Sequence, residues 1–143
     1  MKRRGFFHAA RLCIVAFDLY LSSQPIANAL LQAAPGKLLV DHHYYTFSSV
    51  FFYMNVTAPL INGRFHNLEY GSYAPGAPDI FPSDADVARL WSGPDRYYLI
   101  ASASALPRFD KLLGTENLHI VISSGGKLAL TNRPLSRNSS VRN

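Results

Sequence analysis

Residues 97–131 read YYLIASASALPRFDKLLGTENLHIVISSGGKLALT, and this stretch decides the fold. Its first five residues are aromatic and apolar, which is typical of a buried strand. Residues 104–113 place apolar side chains at helical spacing, and Gly114 follows them where a left-handed C-terminal cap is expected. Two apolar runs then flank Gly125-Gly126, a pair that suits the positive φ angles of a hairpin turn. The stretch predicts a strand, a helix and a terminal β-hairpin over residues 118–131.

A second helix is predicted just before this stretch. Ser83 and Asp86 have the spacing of a capping box, with Asp in place of the usual Glu, and Gly93-Pro94 stops the apolar helical face that follows. Further upstream, residues 38–40 are apolar enough for a buried strand, and residues 58–61 form another candidate strand that ends in an Asn-Gly turn.

Two segments between these elements complete the pattern. Residues 48–54 are apolar throughout, so periodicity does not decide between a serine-capped helix and a strand. Residues 71–82 contain three prolines and two glycines and predict a loop. The alternation of strands and helices predicts the α/β class: a small mixed sheet flanked by helices, with parallel crossovers and one antiparallel edge, ending in a β-hairpin. An apolar N-terminal helical segment precedes this unit.

The chain divides into three parts by composition. Residues 1–35 are apolar and amphipathic, residues 36–133 form the compact α/β domain, and residues 134–143 are a polar tail that we expect to be disordered. Within the first part, the run 5–21 has three interpretations: a secretory signal without a clean cleavage site, an amphipathic arm, or the truncated end of a membrane span. A short helix is predicted over residues 26–32.

The net charge of +5 is spread unevenly along the chain. Basic residues exceed acids in the first 35 and the last eleven positions, whereas residues 36–132 hold seven basic and eight acidic groups. Phosphate binding needs a basic face, which this nearly neutral middle does not supply. Nucleic acid is therefore excluded as the partner.

Common cofactor and metal motifs do not occur in the sequence. No glycine-rich phosphate-binding pattern is present, and no serine lies in a Gly-x-Ser-x-Gly elbow. Cys13 is the only cysteine, so a disulfide scaffold and a cysteine-ligated zinc site are excluded. We expect no cofactor and no metal, and we recognise no catalytic residue.

Asp41 and His43 follow the first candidate strand. In an extended segment they share one face, as an acid–base or metal pair requires, whereas His42 and His43 point to opposite faces. No third ligand is spaced to join them, and Asp and His residues at strand ends commonly satisfy loop hydrogen bonds. We treat Asp41 and His43 as a candidate ligand-binding pair, and a small hydrolase is the enzyme that they would serve.

The densest polar and aromatic cluster reads NGRFHNLEYG, residues 62–71. Its candidate ligand-binding residues, which together suit a polar ligand such as a sugar or a phosphate, are Arg64, His66, Asn67, Glu69 and Tyr70. The structural alternative is an Arg64–Glu69 ion pair that fixes a long loop.

Several stretches occur in a characteristic order: YYTFSSVFFY at 44–53, LINGRFHNLEYGSYAPGAPD at 60–79, LW at 90–91 before RYYL at 96–99, and SGGKLALTN at 124–132. In this order and spacing they resemble the C-terminal region of bacterial glycosyltransferases of the dolichyl-phosphate-mannose–protein mannosyltransferase superfamily. The upstream FDLYLSSQP at 17–25 resembles the stretch that leaves the last transmembrane helix of such enzymes.

The resemblance implies an integral membrane enzyme that transfers a sugar from a polyprenyl-phosphate donor at the outer face of the bacterial inner membrane. It also implies that this domain faces the periplasm, with the membrane or the transmembrane part of the enzyme as its partner. The catalytic acids of the family lie in an early loop between membrane helices, so the resemblance assigns no catalytic residue to this chain. The alternative is a small non-catalytic binding or interaction module.

Overall fold

The computed structural model describes residues 22–42, 44–64 and 67–135. Within these residues the α-helices, in chain order, are α1 (Gln24–Gln32), α2 (Tyr44–Met54), α3 (Asn67–Ser72), α4 (Asp84–Trp91) and α5 (Leu106–Leu113). The strands are β1 (Lys37–Asp41), β2 (Leu60–Ile61), β3 (Tyr97–Ser102), β4 (His119–Ser124) and β5 (Lys127–Thr131). Two short 3₁₀ turns, Ala103–Ala105 and Thr115–Asn117, flank α5.

The strands form one mixed sheet in the order β2-β1-β3-β5-β4. Strand β1 pairs in parallel with both β2 and β3, so that Val40 lies opposite Leu60 on one side and Ile100 on the other. Strand β5 runs antiparallel to β3 and β4 and lies between them. The predicted mixed sheet and terminal hairpin are confirmed, and Gly125 and Gly126 have the expected positive φ angles of 57° and 72°.

Helices cover both faces of this sheet. Helices α1 and α2 pack on one face, where Ile26, Phe47 and Val50 are buried against the sheet. Helices α4 and α5 pack on the other face, where Trp91 and Phe109 are buried. Because each buried large apolar side chain contributes about 1.5–3 kcal/mol, the two apolar layers hold the helices in fixed positions relative to the strand ends.

Residues 48–54, which the sequence left open, belong to helix α2. A parallel pair such as β1 and β2 needs a crossover of about a dozen residues, usually a helix, and α2 is that crossover. Phe47 and Val50 point into the core, whereas Phe52 is 81% exposed. The continuous apolar run therefore reflects a helix that carries apolar side chains on its solvent-exposed side as well.

The predicted capping box begins helix α4. Ser83 Oγ accepts a hydrogen bond from the Asp86 amide at 3.3 Å, and the Asp86 carboxylate accepts one from the Ser83 amide at 3.1 Å. The hydrogen bond from the Ser83 side chain lowers the pKa of Asp86. The short helix α3 was not predicted, and β2 is shorter than the sequence suggested.

The N-terminal part of the chain contributes to the core. Helix α1 lies within the segment 1–35, and its residues Ile26 and Leu30 pack against the sheet. Residues 1–21 and 136–143 lie outside the described residues, together with the predictions made for the run 5–21 and for the polar tail. None of the helices in the described part is long and apolar enough to cross a bilayer.

Candidate functional site

A crevice opens where the chain leaves the neighbouring parallel strands β1 and β3. After β1 the chain enters α2 on one face of the sheet, and after β3 it enters α5 on the opposite face. Because the two helices lie on opposite faces, neither of them covers the side chains between the C-terminal ends of β1 and β3. Such a topological switch point is where open α/β sheets most often bind ligands. The crevice has a volume of about 220 Å³.

Asp41, the last residue of β1, lies at the centre of the polar groups of this crevice. Its Oδ1 accepts a hydrogen bond from Arg108 Nη2 at 2.7 Å and lies 3.1 Å from His42 Nδ1. The Asp41 side chain is only 7% exposed, and these two neighbours supply polar contacts that a buried carboxylate requires. Both contacts use Oδ1. Among the described residues no group donates a hydrogen bond to Oδ2, so this oxygen can accept one from a ligand.

Arg108 links Asp41 to the start of helix α4. Its Nη2 lies 3.6 Å from Asp84 Oδ1, which also accepts a hydrogen bond from Asn62 Nδ2 at 2.7 Å. The guanidinium carbon is 4.4 Å from the centre of the Phe109 ring, a cation–π distance. Arg108 Nε is buried and has no hydrogen-bond partner among the described residues. The side chain is thus held by charge on one side and by an aromatic ring on the other.

Hydroxyl groups also line the crevice. Ser102 Oγ at the end of β3 lies 2.9 Å from Ser104 Oγ in the following 3₁₀ turn, and either hydroxyl can donate to the other. Thr46, in the first turn of α2, adds a third hydroxyl. One carboxylate, one guanidinium, one imidazole and three hydroxyls therefore face a common space.

The structure answers the prediction for Asp41 and His43 only in part. Asp41 lies in the crevice, where its side chain is committed to Arg108 and His42. His43 lies outside the described residues, so the proposed pair stays a prediction. In the part of the chain that the structure describes, no three His, Cys, Asp or Glu side chains are close enough to hold a metal ion.

The candidate cluster around residues 62–71 is organised differently from the expected ion pair. The Arg64 guanidinium lies 3.7 Å from Asp79, and its carbon is 5.5 Å from the ring centres of Tyr73 and Phe81. Asp79 takes the place that the sequence suggested for Glu69, because the loop 73–83 supplies all three of these neighbours of Arg64.

The other members of that cluster are spread along helix α3. Asn67 begins the helix, Glu69 lies in its first turn, and Tyr70 is 83% exposed. His66 lies outside the described residues. A shared ligand site for Arg64, His66, Asn67, Glu69 and Tyr70 remains a prediction.

A larger cavity, of about 450 Å³, lies at the opposite end of the sheet. Its polar side chains are already engaged with backbone groups: Trp91 Nε1 donates to the Asn117 carbonyl at 2.9 Å, and Arg133 Nη2 donates to the Pro94 carbonyl at 2.6 Å. Asn132 donates to the carbonyls of Trp91 and Asp95. We interpret this cavity as structural despite its size, because its polar groups are used to fix the chain.

An apolar groove of about 330 Å³ separates α2 from α3. Tyr44 and Phe51 line one side, with their rings stacked 5.5 Å apart, and Leu68 and Ile80 line the other. Other large apolar side chains are exposed on α2, on α3 and in the loops that follow these helices. We call the whole exposed set the aromatic surface: Tyr44, Tyr45, Phe52, Tyr53, Val56, Leu68, Tyr70, Tyr73 and Ile80. Exposed apolar patches of this kind mark surfaces that contact a partner or a membrane.

The sequence did not propose the other polar residues of the crevice as ligand-binding: His42, Thr46, Ser102, Ser104 and Arg108. His42 has a φ angle of 56°, so it leaves the extended geometry that the strand pattern assumed. Arg108 and Asp41 are 67 positions apart, and only the parallel pairing of β1 with β3 brings them together. One sequence signal could have identified Ser102: it ends a strand, as Asp41 does, and the C-terminal ends of parallel strands meet at the same edge of a sheet.

No protein-family model matches this chain, and no curated protein matches it in sequence. Its fold does match two crystal structures of ArnT from Cupriavidus metallidurans, one in the apo state and one bound to undecaprenyl phosphate. The TM-scores are 0.60 and 0.58, with 14% sequence identity in both cases. The match covers 76% of this chain and only 19% of ArnT. The chain therefore shares its α/β fold with about one fifth of a much longer protein.

Proposed function

We propose that this chain is the domain outside the membrane of a polytopic membrane glycosyltransferase that uses a polyprenyl-phosphate sugar donor. The observation that carries the proposal is the fold match to ArnT, one of whose two matching structures is bound to undecaprenyl phosphate, a polyprenyl phosphate. A domain that spans 19% of such an enzyme leaves the larger part for membrane helices and catalysis. The stretches within residues 44–132 that resemble the mannosyltransferase superfamily are consistent with the same origin.

The aromatic surface supports a position against the membrane. Phe52 and Tyr70 are 81% and 83% exposed, and Tyr45 is 68% exposed. A domain that is free in water rarely exposes so many large aromatic side chains. Tyrosine rings suit the membrane–water interface, because one end of the ring is apolar and the other end binds water. We assign this surface to the contact with the transmembrane part and the lipid headgroups.

Catalysis belongs to the membrane part in this proposal. The crevice residues contain no nucleophile activated by an adjacent base among the described residues, and we assign no catalytic residue to this chain. We further propose that the domain faces the periplasm, and that the segment before α1 leads from the membrane part to the compact domain, whose core includes α1. The tail 134–143 then has no role in the contact.

A non-catalytic binding module is the second candidate function, and the crevice at the ends of β1 and β3 favours it. Such a module would bind a small ligand or a partner without needing a membrane. The two functions make different predictions for where the chain is found in the cell.

Fractionation of the full chain, expressed in a bacterial host, separates the two functions. We expect recovery in the membrane pellet, resistant to high salt and released by detergent. A variant with Tyr45→Ser, Phe52→Ser and Tyr70→Ser removes apolar area from the aromatic surface and is expected to shift protein toward the soluble fraction. Matched changes on the other side of the sheet, Ser92→Ala and Lys111→Ser, are expected to leave the distribution unchanged. A fully soluble wild-type chain would contradict the proposal and support the module.

The side of the membrane needs a separate measurement. An alkaline phosphatase reporter fused after Asn143 is active only when it reaches the periplasm, whereas a fluorescent reporter of cytoplasmic folding is active only on the inner side. We expect phosphatase activity without fluorescence. Fluorescence without phosphatase activity would place the domain in the cytoplasm and overturn the periplasmic assignment.

A further inference from the structure

The polar crevice between the ends of β1 and β3 has a charge balance that limits what can bind there. Arg108 contributes one positive charge, and Asp41 and Asp84 contribute two negative charges. The N-terminal ends of α2 and α5, which border the crevice, each add roughly half a positive charge. These contributions nearly cancel, so neither a phosphate nor a cationic ligand gains much from the local field.

Hydrogen-bonding groups in the crevice remain available for a ligand. Asp41 Oδ2 can accept a hydrogen bond from a ligand. Ser102 and Ser104 have two hydroxyl protons, of which one is used in their mutual hydrogen bond; among the described residues the other is available to a ligand. Thr46 adds a hydroxyl on the α2 side. A ligand that both donates and accepts at several closely spaced positions would satisfy them, and a run of neighbouring hydroxyl groups does this best.

The size of the crevice sets a second limit. Its volume of about 220 Å³ is below the roughly 300–1,000 Å³ of sites for drug-sized ligands. One small ring fits this space, whereas a nucleotide or an oligosaccharide does not. The rigid strand ends hold Asp41 and Ser102 in place before any ligand arrives, so little ordering is needed on binding.

We propose that the crevice formed by Asp41, His42, Thr46, Ser102, Ser104 and Arg108 binds an uncharged, hydroxyl-rich ligand of about the size of one sugar ring. This site is distinct from the aromatic surface and does not depend on the assignment of the chain to a glycosyltransferase. It is also distinct from a catalytic site, because no bond is made or broken in it. The crevice recognises the ligand through hydrogen bonds alone.

Titration of the full chain with methyl α-D-glucopyranoside, followed by amide chemical shifts in NMR, tests this site. We expect saturable shifts at residues 102–105 and at Thr46, with a dissociation constant in the millimolar range. Inorganic phosphate and methylammonium, added separately at the same concentrations, are expected to cause no saturable shift there. Absence of saturable shifts with the sugar would overturn the proposal, and so would stronger binding of phosphate at the same residues.

Variants decide whether the hydroxyl groups are responsible. The double change Ser102→Ala and Ser104→Ala is expected to weaken sugar binding by about tenfold, because two hydrogen bonds are lost. Ser92→Ala makes the same chemical change at an exposed position at the other end of the sheet and is expected to leave the affinity unchanged. If the double variant binds as tightly as the wild type while its spectrum remains folded, the assignment of the site to this crevice is wrong.

Discussion

Asp41 Oδ1 and Arg108 Nη2 are 2.7 Å apart, although the two residues are separated by 67 positions in the chain. Asp41 ends the central parallel strand β1, and Arg108 lies in the first half of α5 on one face of the sheet. Their pairing joins the sheet to that helix at the edge where the crevice opens. The pair therefore stabilises the contact between β1 and α5 and also forms part of the candidate site.

Loss of this pair is expected to destabilise the fold. Arg108→Ala leaves the Asp41 carboxylate buried without its main partner, so we expect the free energy of unfolding to fall by about 1–3 kcal/mol. Urea denaturation measures the change. Arg89→Ala is the matched control: its side chain is 78% exposed, and we expect a change below about 1 kcal/mol. An equal loss in both variants would show that the buried pair has no special role.

The capping box of α4 is expected to contribute stability that depends on pH. Ser83→Ala removes the acceptor for the Asp86 amide and is expected to cost about 1 kcal/mol at neutral pH. The pKa of Asp86 in the folded protein is lowered from 3.8. The contribution of the ionised Asp86 to stability is therefore complete above pH 3.8, the unfolded pKa, and is lost as the pH falls through the folded pKa. The wild type should lose more stability than Ser83→Ala between neutral and acid pH. Identical acid dependence in the two proteins would contradict the role of the box.

Because Lys127 is buried, we expect the free energy of unfolding to rise at alkaline pH. Burial lowers the pKa of this side chain from 10.5, and its Nζ lies 3.0 Å from Ser23 Oγ. Between the folded and unfolded pKa values the unfolded chain binds more protons, so stability increases with pH in that window and levels off above about 10.5. Urea denaturation of wild type and Lys127→Met at several pH values isolates the effect. We expect a smaller slope in Lys127→Met, and an unchanged slope would rule out Lys127 as the source.

Two phenylalanines separate core packing from the aromatic surface. Phe109 is fully buried and Phe52 is 81% exposed. Phe109→Ala is expected to cost about 3–5 kcal/mol, because it removes a large buried ring and leaves a cavity. Phe52→Ala is expected to change the stability of the protein in water by less than about 0.5 kcal/mol. Comparable losses in the two variants would mean that Phe52 packs within the domain and is not available for a membrane contact.

Local signals in the sequence predicted the parts of the fold that local chemistry determines. Ser83 with Asp86 and Gly125 with Gly126 fix a helix start and a hairpin turn through bonds and angles within a few residues. The sequence did not decide whether residues 48–54 form a helix or a strand, because a continuous apolar run has neither the helical nor the strand period. The surplus of exposed apolar residues on α2 is itself a sign of the contact proposed for the aromatic surface.

The candidate site could be predicted only in part, because it is built from long-range pairing. Asp41 was recognised as the polar residue at the end of a strand. Arg108 and Ser102 reach it only after β3 pairs beside β1, a register that no local pattern specifies. The predicted partner of Arg64, Glu69, was wrong for a similar reason. Asp79 lies beside Arg64 only because of how residues 73–83 pack, which no local pattern specifies.

The contact between the aromatic surface and the membrane is tested most directly by site-specific photo-crosslinking in cells. A photoreactive phenylalanine analogue replaces Phe52 in the full chain, and in a second protein it replaces the exposed Ser92 as the control. We predict light-dependent adducts with lipid or with an integral membrane protein at position 52, recovered in the membrane fraction, and none at position 92. Equal labelling at the two positions, or no adduct at position 52 in a folded chain, would contradict the membrane position of this domain.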